Sequence, residues 1–110
     1  MIDIQREVLK ILEYHQGREN AIKGQVIASR LGHKNDRAVR LAIRELIASG
    51  VPVASSVQEP QGFFIAETYQ EALDYMRSLR ERLISDAVRR RDFKVGAYRY
   101  FEGASQKRLL

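Results

Sequence analysis

Cysteine and tryptophan are missing from this 110-residue chain, and histidine and proline occur twice each. Without cysteine there can be no disulfide, thiol nucleophile or thiolate metal site, a composition at home in a reducing compartment. His15 and His33 stand too far apart in sequence to form a histidine-based zinc motif. No metal or other cofactor is therefore expected. Long apolar runs are lacking as well: nothing approaches the roughly 18 to 20 continuous apolar residues that span a bilayer. The start MIDIQREVLK is charged from its third position, unlike a secretory leader. The expectation is a cytoplasmic, nucleoid-associated protein with no membrane partner. Paired carboxylates, a Ser, His and acid set, and a phosphate-binding glycine loop cannot be assembled at useful spacing, so no enzyme is expected.

What is present is enough for one core, with 45% hydrophobic residues. The net charge of +5 is unevenly spread. Residues 1–22 carry three basic and four acidic side chains, net −1; residues 23–44 carry six basic (Lys23, Arg30, Lys34, Arg37, Arg40, Arg44) against Asp36, net +5. Residues 45–88 come to −4, and residues 89–110 set seven basic side chains against Asp92 and Glu102, net +5. Two basic blocks concentrate polyanions locally, and nucleic acid is the commonest polyanion met by a small protein of this kind.

Apolar spacing from Ile4 through Val8, Leu9, Ile11 and Leu12 predicts a first helix over about 3–15, with Asp3 as its N-cap. AIK is long enough for one edge strand. GQVIASRLG predicts a short second helix with Val26, Ile27 and Leu31 inward and Gly32 closing it in the left-handed conformation. A third helix over 35–49 follows, capped by Asn35, with Val39, Ala42, Ile43, Leu46 and Ile47 inward and Gly50 ending it. The period then shortens towards two in VPVASSV and FFIAE, which predicts a hairpin over 51–66 turning at Pro60 and Gly62, with Pro52 at an edge. Thr68 and Glu71 form a capping box for a fourth, long helix over 68–92. Residues 93–110, with two glycines and no sustained period, are expected to be an irregular basic tail. The fold class is mainly α with a small β-hairpin (α+β): a winged helix-turn-helix over 1–67 followed by a long C-terminal helix.

From Ile22 to Ile65 the sequence resembles the winged-helix domain of biotin-operon-repressor type. GQVIASRLG, VRLAIRELIASGVPV and GFFIA match that family's second helix, recognition helix and second wing strand. The turn GHKN departs from the family in being one residue longer and in offering polar His33 and Lys34. The resemblance implies DNA binding through the third helix, often within regulators.

Residue chemistry leads to the same expectation separately. With Val39, Ile43, Leu46 and Ile47 inward, steps of three and four leave Arg37, Arg40, Leu41 and Arg44 together on the opposite face. A guanidinium can fork onto phosphate or onto the O6 and N7 edge of guanine. The leading end of a recognition helix lies deepest in the groove, which nominates Lys34, Asn35, Arg37, Ala38 and Leu41 for bases and Arg40 and Arg44 for the backbone. An arginine stripe is also what the solvated side of any amphipathic helix can carry; such sides normally mix signs, however, and this one has Asp36 and Glu45 only at its margins. Backbone or wing contacts are expected from Lys23 and Gln25 at the second helix and from Ser55, Ser56, Gln58 and Gln61 in the hairpin. Met76, Leu79, Leu83, Ile84 and Val88 give the long helix an apolar ridge that favours a homodimer. RRRDFK and QKRLL could add unspecific phosphate contacts. The leading expectation is a sequence-selective double-stranded DNA-binding regulator of bacterial or phage type. A replication, recombination or packaging accessory factor, and a winged-helix protein-interaction module without DNA binding, are the alternatives.

Overall fold

Three helices, a hairpin and one long helix follow each other along the chain. In the computed structural model, which describes residues 3–109 and side chains as far as Gly103, these are α1 (Asp3–Leu12), α2 (Gly24–Arg30), α3 (Arg37–Ala48), β1 (Val53–Ser56), β2 (Gly62–Ile65) and α4 (Tyr69–Leu109). The architecture is mainly helical α+β with one two-stranded antiparallel sheet. The chain divides into two units, residues 1–75 and 76–110, so the division falls inside α4 after Tyr75.

In the first unit the apolar periodicity becomes a core. Val8 and Leu12 of α1, Ile27 and Ala28 of α2, Val39, Ala42, Ile43 and Leu46 of α3, with Ile22 and Val53, form one buried cluster. Val8, Leu12, Ile27, Val39 and Leu46 are wholly buried, and burial of such a side chain contributes about 1.5–3 kcal/mol each. Val26 and Ile47, expected inward, are 41% and 48% exposed. Each sits at the edge of its helix's apolar stripe, about 100° round from a fully buried neighbour, and the three-helix core closes before reaching them.

Two glycines end helices in the expected way. At the end of α2 the Gly32 N–H donates to the Ser29 carbonyl (3.2 Å) and the His33 N–H to that of Ala28 (2.9 Å), with Gly32 at φ +79°. At the end of α3, Gly50 (φ +106°) and Val51 donate to Ile47 and Leu46, both at 3.0 Å. These are the paired bonds that satisfy a helix's last carbonyls through one left-handed residue.

The starts differ from expectation. Asp3 lies within the first turn of α1, which ends at Leu12. Helix α3 begins at Arg37, and Asn35 precedes it in the turn, where its Oδ1 accepts the Arg37 N–H at 3.1 Å. Asn35 is thus engaged in ordering the helix start. Thr68 caps α4 by accepting the Glu71 N–H (3.1 Å), but the Glu71 carboxylate accepts from the Glu67 (3.0 Å) and Arg18 (3.2 Å) backbone N–H groups in place of Thr68's own.

The hairpin pairs Val53 with Ile65, Ala54 with Phe64, Ser55 with Phe63 and Ser56 with Gly62. AIK supplies no full strand; Ile22 alone bridges Phe63, with two 2.8 Å bonds, and Gln16 bridges Ile65. Gly62 (φ +131°) permits this approach, since a β-carbon there would overlap the Ile22 carbonyl.

The second unit consists of α4 from Met76 onward. The expected irregular tail over 93–110 is instead helical to Leu109, through Gly96 and Gly103. Each glycine costs about 1 kcal/mol relative to alanine in a helix interior, and the helix continues through both. No helix among the described residues is long and apolar enough to cross a membrane.

Candidate nucleic-acid interface

Helix α3 is two-sided. Val39, Ala42, Ile43 and Leu46 face the core, while Arg37, Arg40, Leu41 and Arg44 are exposed, Leu41 by 54%. Ala38 is half-buried beside them, and Lys34 and Asn35 are exposed in the preceding turn. The stripe points outward because the core consumes the other face.

Its members are not equivalent. Arg40 donates from Nε to Asp36 Oδ2 at 2.8 Å and lies 5.2 Å from the centre of the Phe63 ring in β2. The guanidinium is therefore held between its own helix start and the hairpin, with part of its charge offset. Expected as a backbone contact, it acts here as a tie between α3 and β2. Arg37 and Arg44 have no acidic partner among the described residues, so their forks remain available. An exposed pair such as Asp36–Arg40 contributes under about 1 kcal/mol, so phosphate could still recruit Arg40 at low cost.

Asp36 and Phe63 also close over Gly24, where an added β-carbon would meet Asp36 Oδ2 at 3.1 Å and the Phe63 ring at 3.2 Å. This fixes the start of α2 against the start of α3. Lys23 and Gln25 are exposed there, and Gln25 Nε2 donates to the Lys34 carbonyl at 3.3 Å, fastening the turn that presents Lys34.

The hairpin is less open to a ligand than expected. Ser55 Oγ lies 3.3 Å from the Tyr75 hydroxyl, Ser56 Oγ donates to the Gln58 carbonyl (2.9 Å), and Gln58 Oε1 accepts from Arg18 Nη2 (2.9 Å). Of the four hairpin residues Ser55, Ser56, Gln58 and Gln61, only Gln61 is exposed without such a bond. Residues 51–66 contain no lysine or arginine, so the hairpin itself brings no cation; Arg18, tied to Gln58, and Arg40, over Phe63, lie against it from other elements.

Three parts of this site were not visible in the residue pattern: Phe63 under Arg40, Arg18 on Gln58, and Tyr75 on Ser55. The spacing of Asp36 and Arg40 is the familiar four-residue helical pair and could have been read; contacts across 20 or more residues leave no periodic trace.

In the second unit Met76, Leu79, Leu83, Ile84 and Val88 are all exposed, from 41% to 70%. Arg89, Arg90, Arg91 and Lys94 follow on the same helix with Phe93 exposed among them. The QKRLL side chains lie outside the described residues. Among the described residues no group of three His, Asp or Glu could hold a metal ion.

No family model matches the chain, and no curated protein or solved structure matches it.

Proposed function

We propose that this chain is a sequence-selective double-stranded DNA-binding protein, a small transcriptional regulator of bacterial or phage type. In this reading residues 1–67 work as a winged helix-turn-helix, α3 enters the major groove, and α4 holds a homodimer. The observation that carries it is the exposed, acid-free pair Arg37 and Arg44 on a helix whose opposite face is fixed in the core. Rigid presentation matters because a fork must meet guanine O6 and N7 together, and a loosely held side chain gives up ordering entropy to do so. Arg37, near the leading end of α3, is assigned to a base edge, with Leu41 beside it for a thymine methyl. Arg44 and Lys34 are assigned to phosphates, and Arg40 steadies α3 against the hairpin. No chemistry is required of any of them.

A protein-docking role is the second reading, and one observation favours it. The unit bearing α3 carries nine basic and ten acidic side chains, net −1, and its hairpin has no cation. Selection of duplexes from a random pool separates the two. DNA reading predicts enrichment of one sequence and affinity that falls steeply with salt; docking predicts neither.

A further inference from the structure

Helix α4 beyond Tyr75 buries none of its described side chains, so what it packs against has to be found from its own pattern. A helix gains most of its stability in water from packing an apolar face, not from propensity. Steps of three and four from Met76 run through Leu79, Leu83, Asp86, Arg90, Phe93, Ala97 and Tyr100. Six of these eight positions are apolar. The two charged ones are adjacent in the series and opposite in sign.

The series is also symmetric about residue 88. Reversed on itself, it sets Met76 against Tyr100, Leu79 against Ala97, Leu83 against Phe93 and Asp86 against Arg90. We propose that α4 pairs with a second copy of this chain as an antiparallel two-stranded coiled coil centred on residue 88, its register set by two reciprocal Asp86–Arg90 pairs. The inference rests on the proposed reading of α4 as a dimerisation element, and gives that dimer its direction and register. It uses Met76, Leu79 and Leu83 and leaves out Ile84 and Val88, which point about 80° and 120° away from Met76 round the helix.

Charge decides the direction. A parallel pair would press Asp86 onto Asp86 and Arg90 onto Arg90 inside the seam, where like charges are costly; the antiparallel pair neutralises both. Asp86 is free to change partners. Its present neighbour, Arg89, lies 3.8 Å away with both side chains more than 70% exposed, a pair of little energetic weight. Arg80 would face the partner's Lys94, and Arg89 the partner's Arg89, at the rim, where salt screens them within about 8 Å.

Shape agrees with this register. Arg90, Phe93, Lys94, Ala97, Tyr98 and Phe101 surround a mostly apolar depression on one side of the helix. Knobs-into-holes packing places a side chain of one helix among four of the other. The small Ala97, between the rings of Phe93 and Phe101, leaves the room that the partner's Leu79 fills.

The absence of cysteine allows one nitroxide label per chain on the full-length protein, at Arg77→Cys, Val88→Cys or Glu102→Cys in turn. With about 1.5 Å of rise per residue, antiparallel pairing separates the two labels along the axis by about 33 Å at 77 and about 42 Å at 102, with a short distance at 88. Dipolar spectroscopy should therefore read long, short, long. Short distances at all three positions would overturn the antiparallel register while leaving the dimer. A long distance at 88 would overturn the proposed register while leaving the dimer, and a monomeric mass without dipolar coupling would overturn both. As a second measurement, Asp86→Arg should weaken dimerisation about tenfold or more, and adding Arg90→Asp in the same chain should restore it. A D86R chain that dimerises as tightly as the parent would contradict the assigned pairing.

Discussion

The two units obtain their structure in opposite ways. Residues 1–75 enclose every buried apolar side chain of the chain's described part and carry a net charge of −1. Residues 76–110 bury none of their described side chains and set ten basic against four acidic residues, net +6. The first is held by contacts distant in sequence, the second by hydrogen bonds four residues apart. In the proposed function the contrast becomes a division of labour. Shape and selectivity belong to the first unit, while association and unspecific attraction to a polyanion belong to the second. The net positive charge of the whole protein thus resides in the second unit, while in the first the +5 of residues 23–44 is offset by acidic residues elsewhere in that unit.

Matched leucines break this comparison most directly. Leu46→Ala empties a wholly buried site and should cost about 2–5 kcal/mol, seen as a large fall in the thermal midpoint. Leu83→Ala, at a site 70% exposed, should leave that midpoint within about a degree in dilute protein, where the proposed dimer would add least. Equal losses in both variants would mean that the units do not differ as described. Next in size is Gly62→Ala. Its β-carbon overlaps the Ile22 carbonyl and its φ of +131° is strained for an L-residue, so a loss of about 2–3 kcal/mol is expected on denaturant titration. The smallest effect sharpens the division of labour. Arg89→Gln with Arg91→Gln should reduce the slope of log affinity against log salt by up to about 2 and weaken all duplexes alike, as phosphate contacts do.

Much of the first unit was legible because its determinants are local and periodic. Gly32 and Gly50 ended α2 and α3 where a left-handed residue was needed, and the buried set of α3 followed its spacing apart from Ile47. The outward placement of Arg37, Leu41 and Arg44 came with it. What escaped had one of two causes. Arg40 on Phe63, Gln58 on Arg18 and Ser55 on Tyr75 join elements far apart in sequence, and each engages a side chain expected to be free. The helix through 93–109 escaped because its spacing is masked: Phe93, Ala97 and Tyr100 continue the steps of three and four, but Asp86 and Arg90 interrupt the apolar series before them and two glycines with further aromatics lie among them.

The central claim is that Arg37 and Arg44 on the outer face of α3 read duplex DNA. The measurement that tests it most directly is the affinity of an Arg37→Ala, Arg44→Ala double variant for the selected duplex and for random competitor, with circular dichroism to verify the fold. Arg37, on a base edge, is expected to contribute about 1–3 kcal/mol and to carry the selectivity, while Arg44, on a phosphate, adds affinity for all duplexes alike, so binding to the selected duplex should fall at least tenfold and selectivity over competitor should shrink through Arg37. A folded double variant that keeps both its affinity and its preference would contradict the account.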